Sequence, residues 1–279
     1  MRITTLILFL LSLHHHPCYG LTQQKSVPIP SSTSKTCVIL YHKPADTITS
    51  HTNQAHDARP TVYDSIGLTN TNTNWHSIGR LDADTTGLLL LTNDALLVHA
   101  ATNPSSKVTL TNCTTTASTT YTFNKVSKRY EALVMGHILE DDKDDMLKRL
   151  REGVYLGEKL GVTQPAIVNV METRKTTTLV SIEISEGKNR QIRRMFHAVG
   201  SGVIKLHRAQ FGGISLGDLK EGEWRVLSAE EIWNGLGGWP IRELGKKKNV
   251  EENGGSGHRR RRNNNSNARL SSRTRDGVY

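Results

Sequence analysis

Apolar residues fall in short runs along this chain, and the period of each run predicts an element. Leu88–Leu91 is four leucines in a row, set between Gly87 and Thr92-Asn93-Asp94. Nothing polar alternates with them, so the run reads as a short strand buried on both faces. Cys37-Val38-Ile39-Leu40-Tyr41 is a second β-rich run, followed by His42-Lys43-Pro44, where the proline ends the strand. Lys128–Met135 alternates, with Tyr130, Ala132 and Val134 on one face and Arg129, Glu131 and Leu133 on the other. Leu179–Ser185 has the clearest strand period of all. Beyond the Glu186-Gly187 turn, Ile192, Met195, Phe196 and Val199 recur at helical spacing, with Arg190, Arg193 and Arg194 on neighbouring turns. Asp141–Glu152 is another predicted helix. Its acidic start and its Lys148, Arg149 and Arg151 toward the end match the helix dipole, and Gly153 stops it. A short helix or turn is expected at Arg59–Asp64, a closing strand at Glu223–Leu227 beyond the Val203–Leu206 run and a Gly-rich turn at Phe211–Gly213, and a last helix over Ala229–Ile232 capped by Ser228.

The polar stretches divide the chain. Residues 69–74 form a Thr/Asn loop. The Ser/Thr-rich segment from Asn103 to Ser127 has too little apolar surface to bury, and reads as a mobile loop insertion without function of its own. Residues 1–20 have the form of a signal peptide: Arg2, then an apolar run from Ile3 to Leu13, then a small-residue end at Gly20. The run is too short to span a bilayer of roughly 30 Å as a helix. Residues 21–36, with Ser, Thr, Pro, two lysines and no acid, resemble a transit segment. The pair fits import into a plastid bounded by extra membranes, with a mitochondrion or the secretory pathway as alternatives, and predicts no stable membrane association once the presequence is removed. The folded domain is then 37–240, and 241–279 is a disordered basic tail.

Charge sharpens that division. The net charge of +10 is concentrated at the end: from Gly245 to Tyr279 ten Lys/Arg face three acidic residues, leaving only +3 for the other 244 positions. Such a tail is suited to non-specific RNA affinity. Cys18, Cys37 and Cys113 make neither a metal spacing nor an even disulfide framework.

Candidate chemistry lies just before the leucine run. Gly79-Arg80-Leu81-Asp82-Ala83-Asp84-Thr85-Thr86-Gly87 is a polar turn at the edge of a rigid core strand, where functional groups tend to be held. Gly87 marks a point where the backbone bends or is closely approached. An Asp two residues after an Arg in a turn is, taken alone, an ordinary cap or local ion pair.

The order of motifs changes those odds. Gly79-Arg80-Leu81-Asp82, Thr86–Asp94, Lys128-Arg129-Tyr130, Glu186–Met195, Leu206-His207-Arg208, Leu216–Leu219 and Gly222–Arg225 together resemble the RsuA-type ribosomal RNA pseudouridine synthases, and His42-Lys43-Pro44 is similar to that family's opening motif. The likeness runs from about Val38 to Ile232. It implies an α+β catalytic fold with a central mixed, mostly antiparallel sheet flanked by helices. It also implies isomerisation of a uridine in ribosomal RNA, by a monomer, without cofactor or metal; accordingly the sequence carries neither a Gly-rich phosphate loop nor a ligand-spaced His/Cys cluster.

By the same resemblance Asp82 is the catalytic carboxylate, Arg193 the guanidinium that braces it, and Tyr130 the ring that stacks on uracil. Asp84 shapes the loop. Arg190 and Arg194 face the RNA backbone, and Arg80 and Lys128 are further RNA-contact candidates. Two departures from the family stand out: the space before Val38 is too short for the S4-like RNA-binding domain of many members, and the insertion after Asn103 borders the expected RNA channel. The rival reading is a non-catalytic RNA-binding or ribosome-assembly protein of the same fold.

Overall fold

A computed structural model describes residues 34–52, 57–103, 107–111, 118–122, 126–139 and 145–244. The signal-like and transit-like segments through residue 33, and the basic tail from residue 245, lie outside the described residues. So does the start of the Asp141–Glu152 helix.

The strands in chain order are β1 Val38–Lys43, β2 His76–Ser77, β3 Thr85–Thr92, β4 Lys107–Thr111, β5 Ser118–Thr122, β6 Lys128–Met135, β7 Ile167–Thr173, β8 Thr177–Ile184, β9 Val203–Phe211, β10 Ile214–Ser215 and β11 Trp224–Val226. The helices are α1 Val62–Ser65, α2 Ala95–Thr102, α3 Met146–Glu152, α4 Gln191–Ala198 and α5 Ala229–Gly235. The main sheet runs β11-β1-β3-β9-β6-β8-β7, with β10 on β9 and β2 on β3. Its neighbours pair antiparallel except β3 with β9, which are parallel. This is a mixed, mostly antiparallel sheet in an α+β fold.

The leucine run behaves as its pattern requires. Leu88, Leu89, Leu90 and Leu91 are all inaccessible to solvent, and they alternate between two cores. Leu89 and Leu91 join Ile39, Tyr41, Ile192, Met195 and Phe196 on one side of the sheet. Leu88 and Leu90 join Val38, Leu40, Leu97, Ile232 and Trp239 on the other. Since successive strand residues face opposite ways, β3 can be apolar throughout only if helices cover both faces. On β6 the expected face, Tyr130, Ala132 and Val134, is the buried one.

Two expectations change, and one strand appears that the sequence does not predict. The segment from Asn103 to Ser127 is not simply a loop: β4 and β5 pair antiparallel from Lys107↔Thr122 to Thr111↔Ser118, as a separate two-stranded sheet. Its threonines lack the apolar alternation that marks a strand, yet β-branched residues suit extended backbone. Strand β7 was not legible, because its outward Ile167 and Met171 break the polar side of the alternation. The ordered chain also reaches past 37–240 at both ends, where Thr36 N donates to Arg242 O and Lys35 bridges Glu243. Among the described residues no helix is long and apolar enough to cross a membrane.

Candidate active site

Four elements converge on one cavity of about 640 Å³. They are the 79–85 turn entering β3, the start of β6, the 186–193 segment that opens α4, and the middle of β9. Asp82, Tyr130, Arg193, Arg80, Lys128 and Arg190 all line it, as do Leu206 and Arg208. Residues as distant in sequence as Arg80 and Arg208 are thus gathered by the sheet order β3-β9-β6.

The turn carrying Asp82 is clamped from below. Lys43, fully buried, donates from Nζ to the carbonyls of Pro44 (2.8 Å), Ala83 (3.1 Å) and Thr85 (2.9 Å). An ammonium has three hydrogens, and three carbonyls receive them. Thr49 Oγ1 donates to Leu81 O at 3.0 Å, and Thr85 N closes the turn onto Asp82 O. Burial pulls the Lys43 ammonium down to about 8, despite the nearby acids Asp84 and Asp46. In the sequence Lys43 shows only as part of the opening motif, and its place at the end of an apolar strand, just ahead of Pro44, is the signal of its burial.

Gly87 is required where β3 meets β9. Its φ is 108°, and a Cβ there would lie 2.4 Å from the carbonyl oxygen of Arg208. The close approach expected of this glycine is therefore an approach of β9 backbone.

The acidic pair and the arginines meet, though in a different pairing from the expected one. Asp82 keeps a side chain 31% exposed, and its ion pair among the described residues is with Arg190 Nη1 at 3.4 Å. Arg193 does point inward, 13% exposed, but its Nη2 reaches Asp84 Oδ2 at 3.1 Å rather than Asp82, while Nη1 donates to Val203 O at 3.0 Å. Arg190 also reaches Asp84, at 3.5 Å. The expected Arg193–Asp82 brace is corrected accordingly, and Arg190, expected to face the RNA backbone, meets both carboxylates with a side chain still 43% exposed. Arg190 and Arg193 lie three residues apart and so face one way. Which carboxylate each meets depends on the turn at Asp82–Thr85 and the tether to Val203, neither of which residue spacing encodes. Arg190 occupies the left-handed region (φ 47°, ψ 37°) at the start of α4, a conformation rare for a long side chain. It costs of order 1–3 kcal/mol and aims the guanidinium back at the turn.

The remaining candidates divide. Arg194 is exposed, with Nε on Asn189 O, and Arg80 is exposed at the cavity rim. Lys128 is half-buried rather than free: Nζ donates to Val126 O at 3.1 Å and lies 5.4 Å from the Phe211 ring centre. Burial, then the charge of Arg208, lowers its ammonium to about 8. Tyr130 is buried against Ala132 and Leu206, with its ring reaching the cavity.

Residues 37–198 match the RNA pseudouridylate synthases. The chain belongs to that family. Among its relatives, the ribosomal small subunit pseudouridine synthase A of Escherichia coli is 37% identical over 158 residues, covering 56% of this chain and 57% of that protein. The ribosomal large subunit pseudouridine synthase E of Vibrio parahaemolyticus is 35% identical over 204 residues, covering 68% and 73%. These matches place the chain in the RsuA-type branch. A crystal structure of a pseudouridylate synthase superposes with a TM-score of 0.55 at 30% identity, covering 71% of this chain and 73% of that one. The chain thus spans little more than half the length of the E. coli relative.

Proposed function

We propose that this member of the pseudouridylate synthase family isomerises a uridine of ribosomal RNA to pseudouridine, with Asp82 as the reacting carboxylate. The observation that carries the reading is the placement of Asp82: a partly open carboxylate on a clamped turn, sharing a cavity with a buried-edge tyrosine ring. Departure of uracil leaves positive charge at C1′ of the ribose, and a carboxylate held there stabilises or traps it, as in glycoside chemistry. Tyr130 supplies a flat surface for the detached base to turn upon. Arg80 and Arg190 line the cavity and bring positive charge for phosphates, and the exposed Arg194 lies on the same helix turn as Arg190. A nucleotide cannot react inside a stack, so it enters the cavity flipped out of a structured loop.

The test is direct. Purified protein is incubated with unmodified ribosomal RNA transcripts, and pseudouridine is mapped along them. A single modified position in one transcript is the expected result. Binding without modification of any uridine would instead support the ribosome-assembly alternative.

Turnover falls as pH rises through about 8, where Lys43 and Lys128 release their protons and the clamp under Asp82 loses a hydrogen. Stability moves the other way. Both native values lie below the ordinary 10.5, so between about 8 and 10.5 the unfolded chain binds more protons. These two groups therefore make the unfolding free energy rise with pH over that window. A pH–rate profile recorded beside urea unfolding separates the two; a rate limb that tracks loss of fold would clear both lysines of the effect.

Residues 1–36 carry the chain into a plastid by a signal peptide followed by a transit segment, the order of the two compositions being what supports this. A fluorescent protein fused after residue 40 localises to plastids on this reading. Fluorescence confined to secretory compartments or mitochondria would overturn it.

A further inference from the structure

Beside Tyr130 lies a cation that neither the sequence motifs' roles nor the reading above uses. Arg208 is 1% exposed, yet it lines the cavity. It stands directly across from Tyr130 in the β6–β9 register. Its guanidinium carbon is 6.0 Å from the Tyr130 ring centre and 5.4 Å from that of Phe211. Nε donates to Leu88 O at 2.7 Å, which fixes the plane of the group. Nη2 is buried and has no hydrogen-bond partner among the described residues. A buried donor left unpaired is costly, and a charged one more so. The second cation alongside, Lys128, has its Nζ 5.4 Å from the same Phe211 ring centre and also lines the cavity. Two cations beside an aromatic ring, with a spare donor, make a receptor for an oxygen that is neutral on arrival and becomes negative.

We propose that Arg208 is the residue that reads the uracil base: the guanidinium donates to one of its two carbonyl oxygens and takes up the charge that oxygen gains when the glycosidic bond breaks. The proposal rests on the isomerase reading and deepens it. When C1′–N1 breaks, the electron pair leaves with the base and spreads from N1 onto O2 and O4. When C5 then bonds to C1′, that pair forms the new bond, C5 releases its proton and N1 takes one up, so charge and electrons balance. A cation near O2 or O4 is therefore worth more in the transition state than in the bound substrate, which raises turnover rather than affinity. Tyr130 holds the plane of the base; Arg208 holds its edge.

The experiment is a coupling measurement on full-length protein. The probes are oligoribonucleotides spanning the uridine that the wild-type protein modifies, carrying uridine, 2-thiouridine or 4-thiouridine there. Sulfur accepts hydrogen bonds poorly, so each thio-substitution removes one candidate acceptor. Wild type is expected to lose about 100-fold in kcat on one of the two thio-RNAs, with KM little changed. Arg208→Met is expected to be about as slow on the uridine RNA and to lose nothing further on that same thio-RNA. Arg208→Lys keeps the charge and recovers part of the rate; where the Met variant does not fold, its thio penalty is compared with that of wild type instead. An equal thio penalty in wild type and variant overturns the proposal, because a purely structural arginine changes stability and leaves the penalty in place. So does a wild type indifferent to sulfur at both positions. A wild-type chain that makes no pseudouridine in any ribosomal RNA removes the isomerase reading itself, and this proposal with it.

Discussion

Asp82→Asn is expected to lower turnover by about 10³-fold or more while fold and RNA affinity stay close to wild type. The amide has the shape of the carboxylate but cannot balance positive charge at C1′ or form a bond to it. Little stability is at stake. The Asp82–Arg190 contact is 3.4 Å long between partly exposed side chains, and pairs of this kind contribute about 0–1 kcal/mol. The turn also keeps its other supports, since Lys43 and Thr49 bind backbone carbonyls and not the Asp82 side chain. Melting temperature, filter binding to ribosomal RNA and single-turnover pseudouridine formation are measured on the same preparation. Wild-type rate in this variant would remove Asp82 from the chemistry.

Gly87→Ala is expected to cost about 2–5 kcal/mol and to deplete soluble protein. The added methyl group would stand 2.4 Å from Arg208 O, 2.6 Å from Arg208 N and 2.9 Å from the carbonyl carbon, all backbone atoms that cannot swing aside. The φ of 108° adds conformational strain for any residue with a side chain. Relief requires β9 to move away from β3, at the one parallel seam of the sheet, Thr85↔Leu206 to Gly87↔Arg208. That movement would also shift Arg208 relative to Tyr130. Urea unfolding of Gly87→Ala beside wild type checks the magnitude; a midpoint unchanged within error would show that the seam is slack. Gly67 makes the control: its φ is also positive, but nothing lies within 4 Å of the position of its missing Cβ.

Much of this arrangement is legible in residue order because the periods are strong. Four leucines without a polar interruption leave only a strand covered on both sides, and Tyr130, Ala132 and Val134 at spacing two leave only one buried face. The α4 stripe of Ile192, Met195 and Phe196 likewise has one way to pack. Where period is weak, reading fails. Strand β7 exposes Ile167 and Met171, and the threonine-rich β4–β5 pair has no apolar rhythm to announce it. Lys43 and Arg208 went unassigned for a related reason: charged residues are ordinarily placed outside, and what holds them inside is a set of backbone carbonyls, which no side-chain pattern displays.

By itself, then, the sequence determined the elements and the motif order, because hydrophobic period is a property of neighbours along the chain, while the grouping of Asp82, Tyr130 and Arg193 was implied only by the resemblance of those motifs to a family. Only the tertiary structure decided that Arg190 and not Arg193 meets Asp82, that Lys43 clamps the turn, and that Arg208 stands across from Tyr130 with Nη2 free of a partner among the described residues. Those outcomes turn on differences of an ångström or two between groups distant in sequence. They are set by how β3, β9 and β6 register against one another, and hydrogen bonds and ion pairs respond to that scale while burial does not.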